Sequence, residues 1–169
     1  MKTIFFWIVF LSCFLIINYF PFYKKIKHCR NIHTAKKIYK KINIIQNKNK
    51  GWLISYLRKI DPFVFEELIL YCYQQKGYKI KRNKKYTGDG GIDGKVIINN
   101  QTYFIQVKRY KDFINPRHVE DFASLCKKNN VNGYFIHTGK TGKKSYNIKY
   151  QYQNIEIISG NKLYELILK

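Results

Sequence analysis

Apolar positions recur at several different periods along this chain, and each change of period marks an element. Ile4 to Phe20, IFFWIVFLSCFLIINYF, shows no polar period, and Phe22 and Tyr23 extend the run beyond Pro21. An uncharged run of about 17 to 20 apolar residues is enough to cross a bilayer, so this stretch predicts a short transmembrane helix. A cleaved signal peptide is the competing reading. Against it, only Lys2 precedes the run and no small-x-small cleavage site follows.

Helical periodicity takes over at residue 61. Asp61 and Pro62 have the chemistry of an N-cap and a first helical position. Phe65, Leu68, Ile69, Cys72 and Lys76 then fall on one stripe before Gly77. Glu67 reads there as an ordinary solvent-facing acid. YKIKRN (78–83) alternates as a strand, KKYTGDGGI is a glycine-rich loop, and KVII and TYFIQVKR are two strands joined at Asn99-Asn100. A second helix starts at Asn115-Pro116 with Val119, Phe122, Ala123 and Cys126 inward. A strand at 131–138, a helix near 142–153, the strand IEIIS and a final helix NKLYELIL follow. The order is α-β-β-β-α-β with α-β-α appended, which predicts an α/β fold with a mixed sheet flanked by helices on both faces.

If Asn99-Asn100 is a two-residue turn, Ile98 opposes Gln101, Val96 opposes Tyr103 and Asp93 opposes Gln106. Opposed residues point the same way, so Asp93, Gln106 and Lys108 converge on one patch at the open end of the hairpin. Val96, Ile98, Tyr103, Ile105 and Val107 take the other face, and Phe104 must share the polar one. A three-residue turn would break this convergence. On spacing alone, Lys108 beside Arg109 and near Lys111 reads equally well as part of a basic rim.

Charge adds a partner. The formal net charge is +22, with thirteen Lys/Arg and no acid in residues 1–60, and nineteen Lys/Arg with all ten acids in 61–169. Such a surplus suits a polyanion, nucleic acid or anionic lipid. Lys24, Lys25, Lys27, Arg30, Lys36, Lys37, Lys40 and Lys41 follow the apolar run, which orients the bulk of the chain toward the cytoplasm and suits lipid headgroups. The expected division is therefore a 1–23 anchor, a 24–51 basic juxtamembrane linker, helical or loosely ordered, and a 52–169 domain. In a bacterium this is a single-pass inner-membrane protein with its C-terminal domain in the cytoplasm. Cys13, Cys29, Cys72 and Cys126 form no CxxC pair and no zinc pattern with the histidines.

DPFVFEELI (61–69), KGYKI (76–80), GDGGIDG (88–94) and FIQVKRY (104–110), in this order, resemble the Mrr-like restriction endonuclease family of the PD-(D/E)xK nuclease superfamily. The match continues more weakly to IEIISGNKLYELI, covering roughly 61–168. The resemblance implies a restriction-endonuclease-like fold and assigns Asp93 as the metal-binding aspartate, Gln106 as the acidic position of (D/E)xK, and Lys108 as its lysine. Glu66 matches the helical glutamate. Gly88, Asp89, Gly90 and Gly91 match the loop and shape it. Two departures stand out: a Gln replaces the usual carboxylate, and His137 sits where small hydroxyl residues are more usual.

What the resemblance implies is phosphodiester hydrolysis in DNA, in restriction or defence, with Mg²⁺ or Mn²⁺ held by Asp93, Glu66, Gln106 and the carbonyl of Val107. No small-molecule cofactor is expected. Lys84, Lys85, Arg109, Lys111, Arg117, Lys143 and Lys144 are the expected DNA-backbone contacts. A homodimer is compatible with the chain, although no interface signal shows in it. Two other readings stay open: a non-catalytic, membrane-tethered DNA-binding protein on the same fold, and a lipid-associated scaffold.

Overall fold

Asn99 and Asn100 both adopt left-handed backbone, with φ of 49° and 63°, and reverse the chain in two residues. That turn sets the expected register: Ile98 opposes Gln101 and Val96 opposes Tyr103. The computed structural model describes residues 7, 26–45, 49–83 and 91–168. Its hairpin strands belong to a five-stranded sheet in chain order. The strands are β1 (Lys79–Arg82), β2 (Gly94–Ile98), β3 (Gln101–Lys108), β4 (Asn132–His137) and β5 (Ile155–Ile158). β1, β2 and β3 pair antiparallel, and β3, β4 and β5 pair parallel, so the sheet is mixed as expected.

The described helices are α1 (26–44), α2 (Lys50–Leu57), α3 (Pro62–Gln75), α4 (Pro116–Lys128), α5 (Lys143–Gln151) and α6 (Gly160–Ile167). The Asp61 side chain caps α3 by accepting from the N–H groups of Phe63 and Val64, with Pro62 in the first turn. Helices α1, α2, α3 and α6 bury one face of the sheet, packing on Val96, Ile105, Val107, Ile136 and Ile158. The β3–α4–β4 and β4–α5–β5 crossovers cover the other, over Phe104, Phe135, Ile155 and Ile157. Phe104, forced onto the polar-patch face by the register, is thus buried under α4. Burial also pushes the thiols of Cys72 and Cys126 up to about 12, which makes them inert apolar groups.

Three expectations change or fall outside this description. The 4–20 run lies outside the described residues, Trp7 excepted; among those described, no helix is long and apolar enough to cross a membrane. Much of the 24–51 segment, expected as a linker, is helix α1, and it packs into the core of the domain. Ala35, Tyr39 and Ile42, spaced so as to share one side of that helix, are buried against α3 and its neighbours. Burying a side chain such as Ile42 contributes about 1.5–3 kcal/mol, so this helix is part of the domain's structure. The lysines around that stripe stay on the outside.

Glu67 is not solvent-facing. It is 2% exposed. Its carboxylate pairs with Arg82 Nε of β1 at 2.7 Å and with His28 Nε2 of α1 at 3.0 Å. A buried carboxylate is tolerated only when paired, and here the pairing fastens α1 and β1 to α3.

His137, at the end of β4, is fully buried. Its Nδ1 accepts from Gly139 N–H at 3.1 Å, which leaves the proton on Nε2, facing Thr141 Oγ1 at 3.1 Å. Burial lowers its pKa to about 4. It is a neutral structural residue.

Glu67→Ala is expected to lower the unfolding free energy by about 2 kcal/mol in urea denaturation, less than for a fully buried pair because Arg82 and His28 keep some water. For His137 the sign follows from linkage. The unfolded chain takes up the proton near the ordinary imidazole value of about 6.5, the folded one only at about 4. Its contribution is therefore complete above the unfolded value and is lost as pH falls through this window. Urea midpoints should drop over that range, and His137→Asn should flatten the drop.

Candidate functional site

The antiparallel ladder between β2 and β3 ends at Gly94, and a side chain continues it. Asp93 N–H donates to the carbonyl of Ile105 at 2.8 Å. The Asp93 carboxylate oxygen Oδ2 then accepts from the backbone N–H of Val107 at 2.6 Å. In a strand the N–H and C=O of one residue point to the same side, so the Val107 carbonyl also faces the Asp93 side. Val107 lies between Gln106 and Lys108. The paired register ends at Gly94 opposite Ile105, and the Asp93 N–H turns onto the Ile105 carbonyl as well. The expected opposition of Asp93 and Gln106 is therefore not a ladder pair; Asp93 reaches the residue after Gln106 instead, through its carboxylate on Val107.

Gln106 is held from the loop. Its Nε2 donates to the carbonyl of Gly91 at 2.6 Å. Gly91 has a φ of 84°, and an added Cβ would come within 3.2 Å of that same nitrogen, so glycine is required there. With the nitrogen engaged, the amide orientation is set, and Oε1 is buried with no hydrogen-bond partner among the described residues. Leaving a buried acceptor unmet costs about 1–3 kcal/mol. An oxygen in that state has the chemistry of a hard-cation ligand, and the next residue, Val107, holds the Asp93 carboxylate. Lys108, half-buried, forms no salt bridge among the described residues.

Helix α3, which carries Glu66, starts at the same end of the sheet. Arg109 Nη1 donates to the carbonyls of Arg58 at 3.1 Å and Ile60 at 2.5 Å, which ties the start of α3 to the end of β3. Leu70, one turn beyond Glu66, packs directly on Gly94, the residue after Asp93. Glu66 itself is half-buried. Among the described residues no group of three or more His, Cys, Asp or Glu side chains gathers.

Gln106 and Lys108 open into a cavity of about 310 Å³, closed on the far side by His118 and Asp121 of α4. A larger cavity, about 400 Å³, lies at the opposite end of β3 beside Gln101 and Thr102, away from all four candidate residues. Sequence reasoning missed His118 and Asp121. Their spacing with Leu125 on one side of α4, next to the apolar stripe, was the available signal. The Tyr110 hydroxyl lies 2.5 Å from His118 Nδ1, and burial raises the pKa of the phenol. Thr138 Oγ1 clasps the Tyr110 backbone by accepting from its N–H and donating to its carbonyl, both at 3.0 Å.

The expected DNA contacts divide into three groups. Lys84 and Lys85, with Gly88, Asp89 and Gly90 of the loop, lie outside the described residues. Lys111, Arg117, Lys143 and Lys144 are exposed as expected. Arg109 is a correction: its guanidinium turns inward onto the Arg58 and Ile60 carbonyls, and its Nε is buried. Those carbonyls belong to the connection between α2 and α3 and would otherwise go unpaired.

Residues 57–167 match the family model of the Mrr catalytic domain, described as a restriction endonuclease. Among solved structures, the MspJI restriction endonuclease in complex with a 27-mer oligonucleotide is similar in fold, with a TM-score of 0.56 and 17% identity. The similarity covers 72% of this chain and 32% of that one, so the chain spans about a third of MspJI. The restriction endonuclease FokI gives a TM-score of 0.49 and 11% identity over 79% of this chain and 29% of its own. No curated protein matches the sequence. The family match runs through every strand of the sheet and includes Glu66, Asp93, Gln106 and Lys108, and the chain belongs to the Mrr catalytic-domain family of restriction endonucleases.

Proposed function

We propose that this protein is a metal-dependent DNA endonuclease, held at a membrane by its N-terminal segment and acting in restriction or defence. The observation that carries the reading is the Asp93 carboxylate on the Val107 main chain at 2.6 Å, between Gln106 and Lys108. Among the described residues, the buried Gln106 Oε1 has no partner and Lys108 has no ion pair. The family match over residues 57–167 includes these same residues, which supports the reading.

Asp93, Gln106 Oε1, the Val107 carbonyl and Glu66 would hold a hard divalent cation, Mg²⁺ or Mn²⁺, which when bound neutralises phosphate charge and acidifies water. Gln106 in place of a carboxylate leaves the set one negative charge poorer, so the bound phosphate becomes a larger part of what retains the ion. Lys108 orients the attacking water and meets the negative charge that grows on the phosphoryl oxygens. Lys111, Arg117, Lys143 and Lys144 grip phosphates without reading bases. One chain supplies one such site, and a homodimer would supply the second needed to cut both strands.

The membrane part of the reading is supported by the uncharged 4–20 run and the lysines that follow it. Because α1 packs into the domain, an anchor ahead of it would hold the nuclease domain close to the lipid surface, with the catalytic end of the sheet on the cytoplasmic side. Anionic lipid is then the second partner.

Plasmid nicking by the full-length protein tests the catalytic part. The unmutated protein should nick in Mg²⁺ and not in EDTA. Lys108→Ala and Asp93→Asn should each lower nicking roughly 10²-fold or more while duplex binding persists. Asp93→Asn keeps an acceptor for Val107 N–H; Asp93→Ala should in addition destabilise the fold by about 1–3 kcal/mol. Undiminished cutting by both catalytic variants would overturn the mechanism. Salt-sensitive DNA binding without nicking by the unmutated protein would make it a non-catalytic binder.

A further inference from the structure

Beyond Lys108 and His137, two loops leave the same end of the sheet and zip together. Lys140 N–H donates to the Asp112 carbonyl at 2.9 Å, and Ile114 N–H donates to the Lys140 carbonyl at 3.0 Å. Gly139 permits this approach, since an added Cβ would meet the Asp112 carbonyl oxygen at 2.4 Å. Ile114 is buried and anchors the loop, while its neighbour Phe113 is held out, 65% exposed. The Lys140 ammonium lies 5.8 Å from the centroid of the Phe113 ring.

A single exposed Phe is unremarkable. This one begins a row. The backbone of Gly142, which starts α5, lies against the Phe113 ring, an added Cβ there coming 3.4 Å from a ring carbon. Tyr146 and Tyr150 follow one and two turns along α5, with side chains 48% and 76% exposed. A helix rises about 1.5 Å per residue, so the two tyrosines stand about 6 Å apart along the axis. The inner side of α5, Ser145 and Ile148, is buried against the domain, so Tyr146 and Tyr150 look outward with Lys143. From Phe122 to Ile155 the chain carries six lysines and no acid.

Exposed aromatics on a basic surface fit one class of ligand better than others. A fully paired duplex offers phosphates to lysines but hides its base faces. An unpaired strand offers both, and base–aromatic stacking tolerates any sequence. We propose that Phe113, Tyr146 and Tyr150, with Lys140 and Lys143, form a stacking platform for an unpaired nucleic-acid strand entering the candidate site from the end of the sheet that carries Lys108. This inference deepens the nucleic-acid reading above and rests on it for the partner. It makes the preferred substrate DNA with a single-stranded segment, such as a gap, flap or displaced strand.

The test measures binding of the full-length protein to a fluorescent single-stranded oligonucleotide and to the same sequence as duplex, in EDTA so that no cutting occurs. Phe113→Ala, Tyr146→Ala and Tyr150→Ala should each weaken single-strand binding about five-fold or more and leave duplex binding nearly unchanged. Phe113→Trp should retain it. Lys140→Ala and Lys143→Ala should weaken both, each reducing the single-strand salt slope by about 0.7. Aromatic variants that bind the single strand as the unmutated protein does would overturn the proposal. So would equal losses on duplex and single strand, or a Phe113→Ala loss confined to phosphatidylglycerol vesicles. Stacking without any nicking in Mg²⁺ would refute the nuclease reading and leave the platform intact; nicking with indifferent aromatics would do the reverse.

Discussion

The candidate site depends on a side chain doing the work of a main chain. β2 stops at Gly94, yet β3 continues to Lys108, and the gap left along its edge is met by the Asp93 carboxylate on Val107 N–H. Because β2 ends early, an anionic group stands where a strand would otherwise have placed a neutral peptide. A hydrogen bond from a main-chain N–H to a carboxylate is of the strong, charge-assisted kind, and it fixes the acid relative to Gln106 and Lys108 without a rotamer search. The site is therefore assembled by the sheet itself, and the loop between β1 and β2 has only to deliver Asp93.

That delivery is reinforced from both ends of the loop. Asn83 Nδ2 donates to the Ile92 carbonyl, bridging the chain before and after residues 84–90, and Gln106 Nε2 takes the Gly91 carbonyl. Around the same end of the sheet, Arg58 donates to the Thr138 carbonyl through Nε and Nη2 at 3.1 and 2.7 Å, while Arg109 holds the carbonyls of Arg58 and Ile60. Two arginines thus satisfy main-chain oxygens in connecting segments and couple α2, α3, β3 and β4 near Lys108. Rigidity of this kind is what a site needs if its groups are to meet charge that develops only in the transition state. Phe113 and Lys140 are presented by the same stapled loops.

Local chemistry was enough to read the hairpin. Asn99-Asn100 accepts left-handed backbone, a two-residue turn then allows one register, and that register brings Gly94 opposite Ile105, with Asp93 next to it in the chain, and sends Phe104 under α4. Asp61-Pro62 announced α3 in the same way. What escaped the sequence depended on partners far along the chain. Nothing local distinguishes Glu66 from Glu67; the difference is made by Arg82 and His28, which arrive from β1 and α1. The 35, 39, 42 stripe of α1 was obscured by the lysines around it, so a packed helix read as a linker. Arg109 looked like a phosphate contact because the carbonyls it satisfies lie in a connection whose path periodicity does not reveal. His118 and Asp121 gained meaning only when α4 was laid across Gln106 and Lys108.

A domain of this family joined to a basic, aromatic exterior and an apolar N-terminal run has the features that the proposed nuclease at a lipid surface would need. The central proposal is narrower than that combination: the carboxylate of Asp93, the buried amide oxygen of Gln106 and the carbonyl of Val107 would hold one cation. Anomalous diffraction from crystals of the full-length protein soaked in Mn²⁺ tests it most directly. The account predicts a single strong peak within about 2.0–2.4 Å of those oxygens, lost in Asp93→Asn. A Mn²⁺ peak bound elsewhere in a protein that still cuts DNA would contradict it.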